Sequence, residues 1–325
     1  MGGFVHPSFF LGRGFSMRVV IVGQRDFGKA VLEAFHARGD VVAGVFMAPE
    51  KNSRPDTLKT AVLEKNLRLF QFENLASEEA LTALRESNAD IAVMAYVVQF
   101  VPQEFVRIPK CGTIQFHPSL LPKYRGPSAI NWAIVCGERE TGVTVFRPTD
   151  IMDEGPVILQ KAVPIQPDDT AGSLYYDYLF PVGVQAMLEA ADRVVSGNYV
   201  EKPQDVLQGS YESWLKEREA RINWNNHVNQ VYNLIRGCNP SPGAWIRFQD
   251  EKLVIMECRK NLHCSFQDVR GKIGTITSID EESFFVGVPG GEIRIFAVRT
   301  ESKKKMTAKE CVKRWKLEIG MKFGE

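Results

Sequence analysis

The segment Arg18-Val19-Val20-Ile21-Val22-Gly23 carries apolar side chains at successive positions, the pattern of a strand covered on both faces. It opens into Gln24-Arg25-Asp26-Phe27-Gly28-Lys29 and an amphipathic stretch to Ala37, so strand, glycine turn and helix follow one another as at the start of a βαβ unit. The pattern then repeats. Asp40 to Met47 is a second strand, Ala48 to Pro55 a polar loop, and Leu58 to Lys65 a helix. Leu67 to Gln71 is a short third strand, Ser77 to Glu86 a helix capped by Ser77, and Ala89 to Tyr96 a fourth strand. Ala129 to Cys136 is helical, Thr141 to Pro148 and Val157 to Pro164 are strands, and Thr170 to Val195 makes one long helix opened by Asp168 or Asp169. Strands alternating with helices over residues 17–200 place this part in the α/β class, with a mostly parallel sheet covered on both faces. The first turn lacks the Gly-x-Gly-x-x-Gly spacing, so it carries no dinucleotide fingerprint.

The pattern changes after a linker of turn and polar residues, Ser196 to Gln208. Ala220 to Arg236 supplies a helix after Ile222-Asn223-Trp224, and short strands follow at Ala244–Phe248, Leu253–Glu257, Lys272–Ser278, Phe284–Val288 and Ile293–Val298. Pro289-Gly290-Gly291 is a hairpin signal between the last two. Strands at this spacing predict a small barrel or an OB-like β domain, with Lys303-Lys304-Lys305 as a solvated loop and Ala308 to Trp315 as a helix. The 325 residues thus divide into 17–206 and 207–325, each long enough to bury a core of its own. Residues 1–16 lack a basic n-region and an unbroken apolar core, so they read as a disordered leader or tag and not as a secretory signal.

A formal net charge of +1 gives no global field toward nucleic acid or membrane. The balance is uneven, with 20 basic against 24 acidic residues up to Val206 and 20 against 15 beyond it. A basic excess of this size is more often a solvated face than an RNA-binding surface. Cys111, Cys136, Cys238, Cys258, Cys264 and Cys311 form no Cys-x-x-Cys pair, which points to reduced thiols in a cytoplasmic protein and to neither a disulfide frame nor a zinc site. No run of 18 apolar residues is present to span a membrane.

The chemistry centres on the stretch from Gly112 to Trp132. An apolar-alternating run (Thr113, Ile114, Phe116) leads into His117, and Pro118, Pro122, Gly126 and Pro127 then forbid regular structure, so a strand ends in a rigid loop. Open α/β folds carry their chemistry at the carboxyl ends of strands. A lone histidine there is more often a hydrogen-bonded structural residue than a catalyst. Asp153 changes the weighting, because Thr149-Asp150-Ile151-Met152-Asp153-Glu154-Gly155 is a second strand exit rich in turn residues. A histidine facing a carboxylate suffices for acid–base work on an acyl group, and the Gln115 amide, on the same strand face as His117, adds a donor for the oxyanion. No serine or cysteine is evidently paired with a base, and sequence places no third ligand that would turn the pair into a metal site. The loop Val97-Val98-Gln99-Phe100-Val101-Pro102 is mostly apolar, fit either to cover a core edge or to pack the flat ring of a cofactor.

The segments Phe116-His117-Pro118-Ser119-Leu120-Leu121-Pro122-Lys123-Tyr124-Arg125-Gly126 and Met152-Asp153-Glu154-Gly155 resemble the two signature blocks of the 10-formyltetrahydrofolate-dependent formyltransferase family. The likeness runs from Met17 to about Val298 and implies a Rossmann-like formyl-transfer domain followed by an OB-like domain. Gln99-Phe100-Val101-Pro102, Leu179-Phe180-Pro181, Ile222-Asn223-Trp224 and Pro242-Gly243-Ala244-Trp245 are similar to the hydrolase domain of 10-formyltetrahydrofolate dehydrogenase, and the chain is also similar to methionyl-tRNA formyltransferase.

The resemblance implies the following roles. His117 and Asp153 match the family's catalytic histidine and aspartate, while Gln115 stands where most members carry asparagine. The loops Tyr96, Val97, Val98, Gln99, Phe100, Val101 and Thr149, Asp150, Ile151, Met152 hold the pterin ring. The co-substrate is 10-formyltetrahydrofolate, with no metal. The acceptor is water or a small-molecule amine; methionyl-tRNA, a sugar nucleotide and non-catalytic folate binding are the alternatives. A tRNA acceptor is disfavoured because Ala48 to Pro55 is short and offers only Lys51 and Arg54 to phosphates.

Overall fold

A computed structural model describes residues 16–50, 55–262 and 271–324. Residues 1–15 of the expected leader, Lys51, Arg54 and Cys264 lie outside them. The chain separates into two compact units, one made of Met1–Phe116, Val145–Asp150 and Val184–Glu201, the other of His117–Thr144, Ile151–Gly183 and Lys202–Glu325.

The strands β1 (Arg18–Gly23), β2 (Val41–Met47), β3 (Leu69–Gln71), β4 (Ile91–Ala95), β5 (Thr113–His117), β6 (Glu140–Phe146) and β7 (Val157–Pro164) form one sheet in the order β3-β2-β1-β4-β5-β6-β7. The pairings β1–β2, β1–β4, β2–β3 and β4–β5 are parallel. The helices between them are α1 (Arg25–Ala37), α2 (Thr57–Glu64), α3 (Glu78–Glu86), α4 (Gln103–Arg107) and α5 (Ala129–Val135). The unbroken apolar run of β1 is explained by its parallel neighbours on both sides, and Val19 to Val22 are essentially inaccessible. Ser77 caps α3 as expected, accepting from the Ala80 N–H at 3.3 Å.

The chain runs from β1 outward through β2 to β3, then returns to place β4 on the other side of β1. The order therefore reverses between β1 and β4, and ligands of open α/β sheets bind outside the carboxyl ends of such a strand pair. Gly23 and Ala95 end these strands in register, and a Cβ on Gly23 would lie 2.0 Å from the Ala95 carbonyl oxygen, so only glycine fits. On one face Val20, Val22, Phe46, Leu81, Met94 and Phe105 make a buried cluster; each large side chain fully buried there contributes about 1.5–3 kcal/mol.

The stretch expected to be one helix from Thr170 is divided into α6 (Ala171–Ser173), a π-helical segment Leu174–Leu179 and α7 (Phe180–Val195). Pro181 accounts for the break: it has no N–H for the carbonyl one turn back, and the preceding residues widen to i→i+5 bonding. The cap is Thr170, not Asp168 or Asp169, because Thr170 and Ser173 exchange side-chain-to-backbone bonds of 3.0 Å in each direction.

In the carboxyl-terminal part, α8 (Val228–Gly237) begins a few residues beyond the expected start after Trp224. Asn223 bonds the Asn225 N–H at 3.0 Å in an Asx turn, which competes with helix, and His227 then provides the cap. The strands β8 (Trp245–Phe248), β9 (Glu251–Leu262), β10 (Ile276–Ile279), β11 (Phe284–Val288), β12 (Gly291–Thr300) and β13 (Lys305–Thr307) form an antiparallel sheet ordered β10-β11-β12-β9-β8, with β13 on β12. The Pro289-Gly290 hairpin is present, with Gly290 at φ 83°. β9 extends well past Glu257 because β12 pairs with it as far as Leu262. Lys305 starts β13 and is not loop, as Lys305 pairs with Arg299 in register and its ammonium meets Glu257 at 2.5 Å. Helix α9 (Ala308–Trp315) follows β13, and α8 and α9 both pack into this sheet's core, as do Leu317 and Phe323 beyond them.

Candidate active site

The last residue of β5 is His117, and Pro118 turns the chain directly into the loop 118–127. The residue is 5% exposed, and Nε2 lies 2.8 Å from the carbonyl oxygen of Tyr124. A carbonyl only accepts, so Nε2 carries a proton and the ring's remaining chemistry resides at Nδ1. Nδ1 faces Oδ2 of Asp153 at 3.6 Å, an ion-pair distance too long for a hydrogen bond. Asp153 is 7% exposed, and its Oδ2 accepts from the Gly126 N–H at 2.9 Å.

The loop that supplies both the Tyr124 carbonyl and the Gly126 amide is held from several directions. The buried Thr144 hydroxyl donates to the Ser119 carbonyl at 2.6 Å and accepts from the Leu121 N–H at 3.1 Å. Gln160 adds a bond to the Leu121 carbonyl at 2.8 Å. Tyr124 adopts φ 55°, and its phenol donates to Glu138 at 2.8 Å; burial first, then that carboxylate, push the phenol well above its ordinary range, so it remains a donor. Gly126 sits at φ 100°, where a Cβ would come within 2.3 Å of the Glu212 carbonyl oxygen.

Asp153 itself adopts the left-handed conformation, φ 58°, which is uncommon for a residue with a side chain. The side-chain amide of Gln204 donates to the carbonyls of both Asp153 and Gly155, at 2.9 and 2.7 Å. Arg125 and Glu154 form an adjacent ion pair. Gln204, the Tyr124 carbonyl and the Gly126 amide were not signalled by the sequence, since two are backbone groups and the third lies in an apparent linker.

In the other unit, β4 empties into Tyr96, again left-handed at φ 62°. Along the irregular stretch that follows, Val97 and Val101 pack into the core, while Val98 and Phe100 stand 61% and 70% exposed. Nε2 of Gln99 is buried without a hydrogen-bond partner. Gln103, just beyond, donates to the Pro148 carbonyl at 3.2 Å, bringing this loop beside the start of Thr149-Asp150. Ile151 and Met152 continue from there as exposed side chains, and Gln115 stays half-buried on β5, two residues before His117. The structure thus brings His117 and Asp153 together in one unit, which also holds Ile151 and Met152, and in the other it brings the loop after β4 beside Thr149 and Asp150. Among the described residues no group of three or more His, Cys, Asp or Glu side chains is placed to hold a metal ion, and no helix is long and apolar enough to cross a membrane.

Residues 17–190 match the formyl transferase family, and residues 215–316 match the formyl transferase C-terminal domain. The chain belongs to the formyl transferase family. The cytosolic 10-formyltetrahydrofolate dehydrogenase of Xenopus laevis is 35% identical over 73% of this formyl transferase family chain, which spans only 27% of that relative's length. The methionyl-tRNA formyltransferase of Geobacter metallireducens is 29% identical, covering 95% of this chain and 99% of its own. The same fold occurs in the N-formyltransferase of Helicobacter canadensis, solved with folinic acid and dTDP-3-aminofucose, at TM-score 0.65 and 19% identity over 86% of this chain and 98% of that one.

Proposed function

We propose that this chain takes the N10-formyl group from 10-formyltetrahydrofolate and passes it to water or an amine. The observation that carries this reading is the buried pairing of His117 and Asp153 at the end of β5. Nε2–H is committed to the Tyr124 carbonyl, so Nδ1 is the imidazole atom that exchanges a proton with the reacting groups. Attack on the formyl carbon makes a tetrahedral oxyanion; a protonated Nδ1 and the Gln115 amide donate to it. Asp153, across 3.6 Å from Nδ1, receives the proton lost by the nucleophile and hands it on to N10, whose bond to the formyl carbon breaks as the carbonyl re-forms, so that tetrahydrofolate leaves neutral at N10 and the carboxylate is restored.

The residues suit a folate. Val98 and Phe100 offer exposed apolar surface to a flat ring, and the buried, unpartnered Gln99 Nε2 is a donor for an acceptor on that ring's edge. Tyr96 to Val101 and Thr149 to Met152 are accordingly assigned to pterin binding.

The acceptor decides between a 10-formyltetrahydrofolate hydrolase and a transferase. Likeness to the dehydrogenase relative supports water. A second reading, methionyl-tRNA, is favoured by the end-to-end match to the Geobacter enzyme and by the net basic character of the residues beyond Val206. The test is release of tetrahydrofolate from 10-formyltetrahydrofolate with no added acceptor, then with methionyl-tRNA or an amino-sugar nucleotide. Release in water alone supports the hydrolase, and acceleration by one acceptor identifies a transferase. Binding without release under every condition would leave a non-catalytic folate-binding protein.

A further inference from the structure

Asp153 holds a left-handed backbone conformation, one that aspartate adopts more readily than most residues but that is still uncommon, and the structure shows what holds it there. The grip comes from residues 202–212. Lys202 and Val157 exchange both backbone bonds, at 2.8 and 2.9 Å, which registers this segment on the first residue of β7. From that anchor Gln204 reaches the loop before β7, and its single amide nitrogen bonds the carbonyls of Asp153 and Gly155. Both partners are acceptors, so the nitrogen must face them. The cost is visible in the same side chain, whose Oε1 is buried with no hydrogen-bond partner. A glutamine serving only to fill space would not leave its oxygen unsatisfied to keep two carbonyls in place.

We propose that Gln204 is a positioning residue for the reaction: by clamping the carbonyls on either side of Glu154 it fixes the Asp153 carboxylate opposite Nδ1 of His117. This rests on the reading of His117 and Asp153 as the reacting pair. Gln204 does not touch substrate. Without the clamp, Asp153 relaxes toward ordinary φ values and its carboxylate swings away from both the Gly126 amide and the imidazole.

The test is steady-state kinetics of Gln204→Ala and Gln204→Glu beside His117→Ala and Asp153→Ala, with 10-formyltetrahydrofolate as substrate. Gln204→Ala is expected to lower kcat by about 10- to 100-fold with KM within about twofold, as misplacement of a catalytic group does. Gln204→Glu has the same shape but, ionised, cannot donate to two carbonyls; its kcat should be equally low near pH 8. Relative to the unaltered protein it should recover as the pH falls and the carboxyl gains a proton to donate. Should Gln204→Ala fail to fold, the Glu variant decides alone. An unchanged kcat in Gln204→Ala, or an unaltered rate for Gln204→Glu near pH 8, overturns the inference if the His117 and Asp153 variants are inactive. Full activity in those two variants overturns the underlying reading instead.

Discussion

His117 donates a hydrogen bond from Nε2–H to the Tyr124 carbonyl oxygen, 2.8 Å away, and so meets Asp153 only through Nδ1. The ring cannot flip without setting a C–H against that carbonyl, and the loop bonds hold the carbonyl still. His117→Ala is therefore expected to lower kcat by about 10²–10⁴-fold, the usual contribution of a positioned acid or base, with folate affinity retained. Asp153→Asn should do the same, because its amide oxygen still accepts from the Gly126 N–H while the proton-accepting charge is gone. Single-turnover rates and equilibrium folate titration check both, and unimpaired turnover in either variant would exclude the proposed chemistry.

Gln115→Ala removes one assigned oxyanion donor while leaving the histidine–aspartate pair. The loss should be about 10²-fold and smaller than that of His117→Ala. Gln115→Asn shortens the side chain by a methylene but keeps the amide, so it should retain more activity than Ala. Equal rates in Gln115→Ala and the unaltered protein would remove Gln115 from the mechanism.

Gly126→Ala should destabilise the protein by about 1–3 kcal/mol, since φ 100° is unfavourable to a side chain and the new Cβ would press on the Glu212 carbonyl. The melting temperature should fall, and kcat with it, because Gly126 also supplies the N–H that holds Asp153. An unchanged melting temperature would mean the loop yields more easily than its contacts indicate.

Acid should weaken the sheet through Asp90. Burial pushes this carboxyl up, but the Lys110 ammonium and the Arg18 N–H together outweigh it, so its pKa lies below the ordinary 3.8. A depressed carboxylate stabilises the fold above its unfolded pKa and loses that contribution as pH falls through the folded one. Asp90→Asn should thus melt earlier than the unaltered protein at neutral pH, with the gap closing below about pH 4. Melting curves from pH 3 to pH 7 check the convergence.

Alkali acts on buried thiols. Burial pushes Cys238, Cys258 and Cys311 each up to about 12 from an ordinary 9.0. A raised folded pKa means the stabilisation is complete below pH 9 and lost progressively toward pH 12. At pH 8 iodoacetamide should spare these three in the folded protein and modify them after denaturation. Peptide mass mapping reads this directly, and rapid native labelling of any of the three would contradict their placement.

Much of this arrangement was legible in the residues. The apolar runs of β1, β2 and β4 announce buried parallel strands, and the prolines after His117 announce the end of β5. Pro181 was visible too, yet its effect on helix register depends on tertiary support that no local pattern encodes. The late start of α8 was hidden because the side chains of Asn223 and its neighbours compete with helix through bonds that composition does not reveal. His117 and Asp153 stood out by motif. Their supports did not, because a carbonyl or an amide N–H has no residue signature, and Gln204 works on a loop 51 positions upstream.

The stretch from Lys202 to Glu212 also bears on how this protein divides. In the sequence it reads as a border between two modules, but Ser210 accepts from the Tyr124 N–H at 2.9 Å and Glu212 donates to Arg125 at 2.9 Å. A fragment stopped at Val206 would keep the histidine and the aspartate but strip the scaffold from behind the loop that orients them. Grafting a foreign tail after that residue would meet the same difficulty, so a transplantable piece of this protein that carries the histidine–aspartate pair must extend through Glu212.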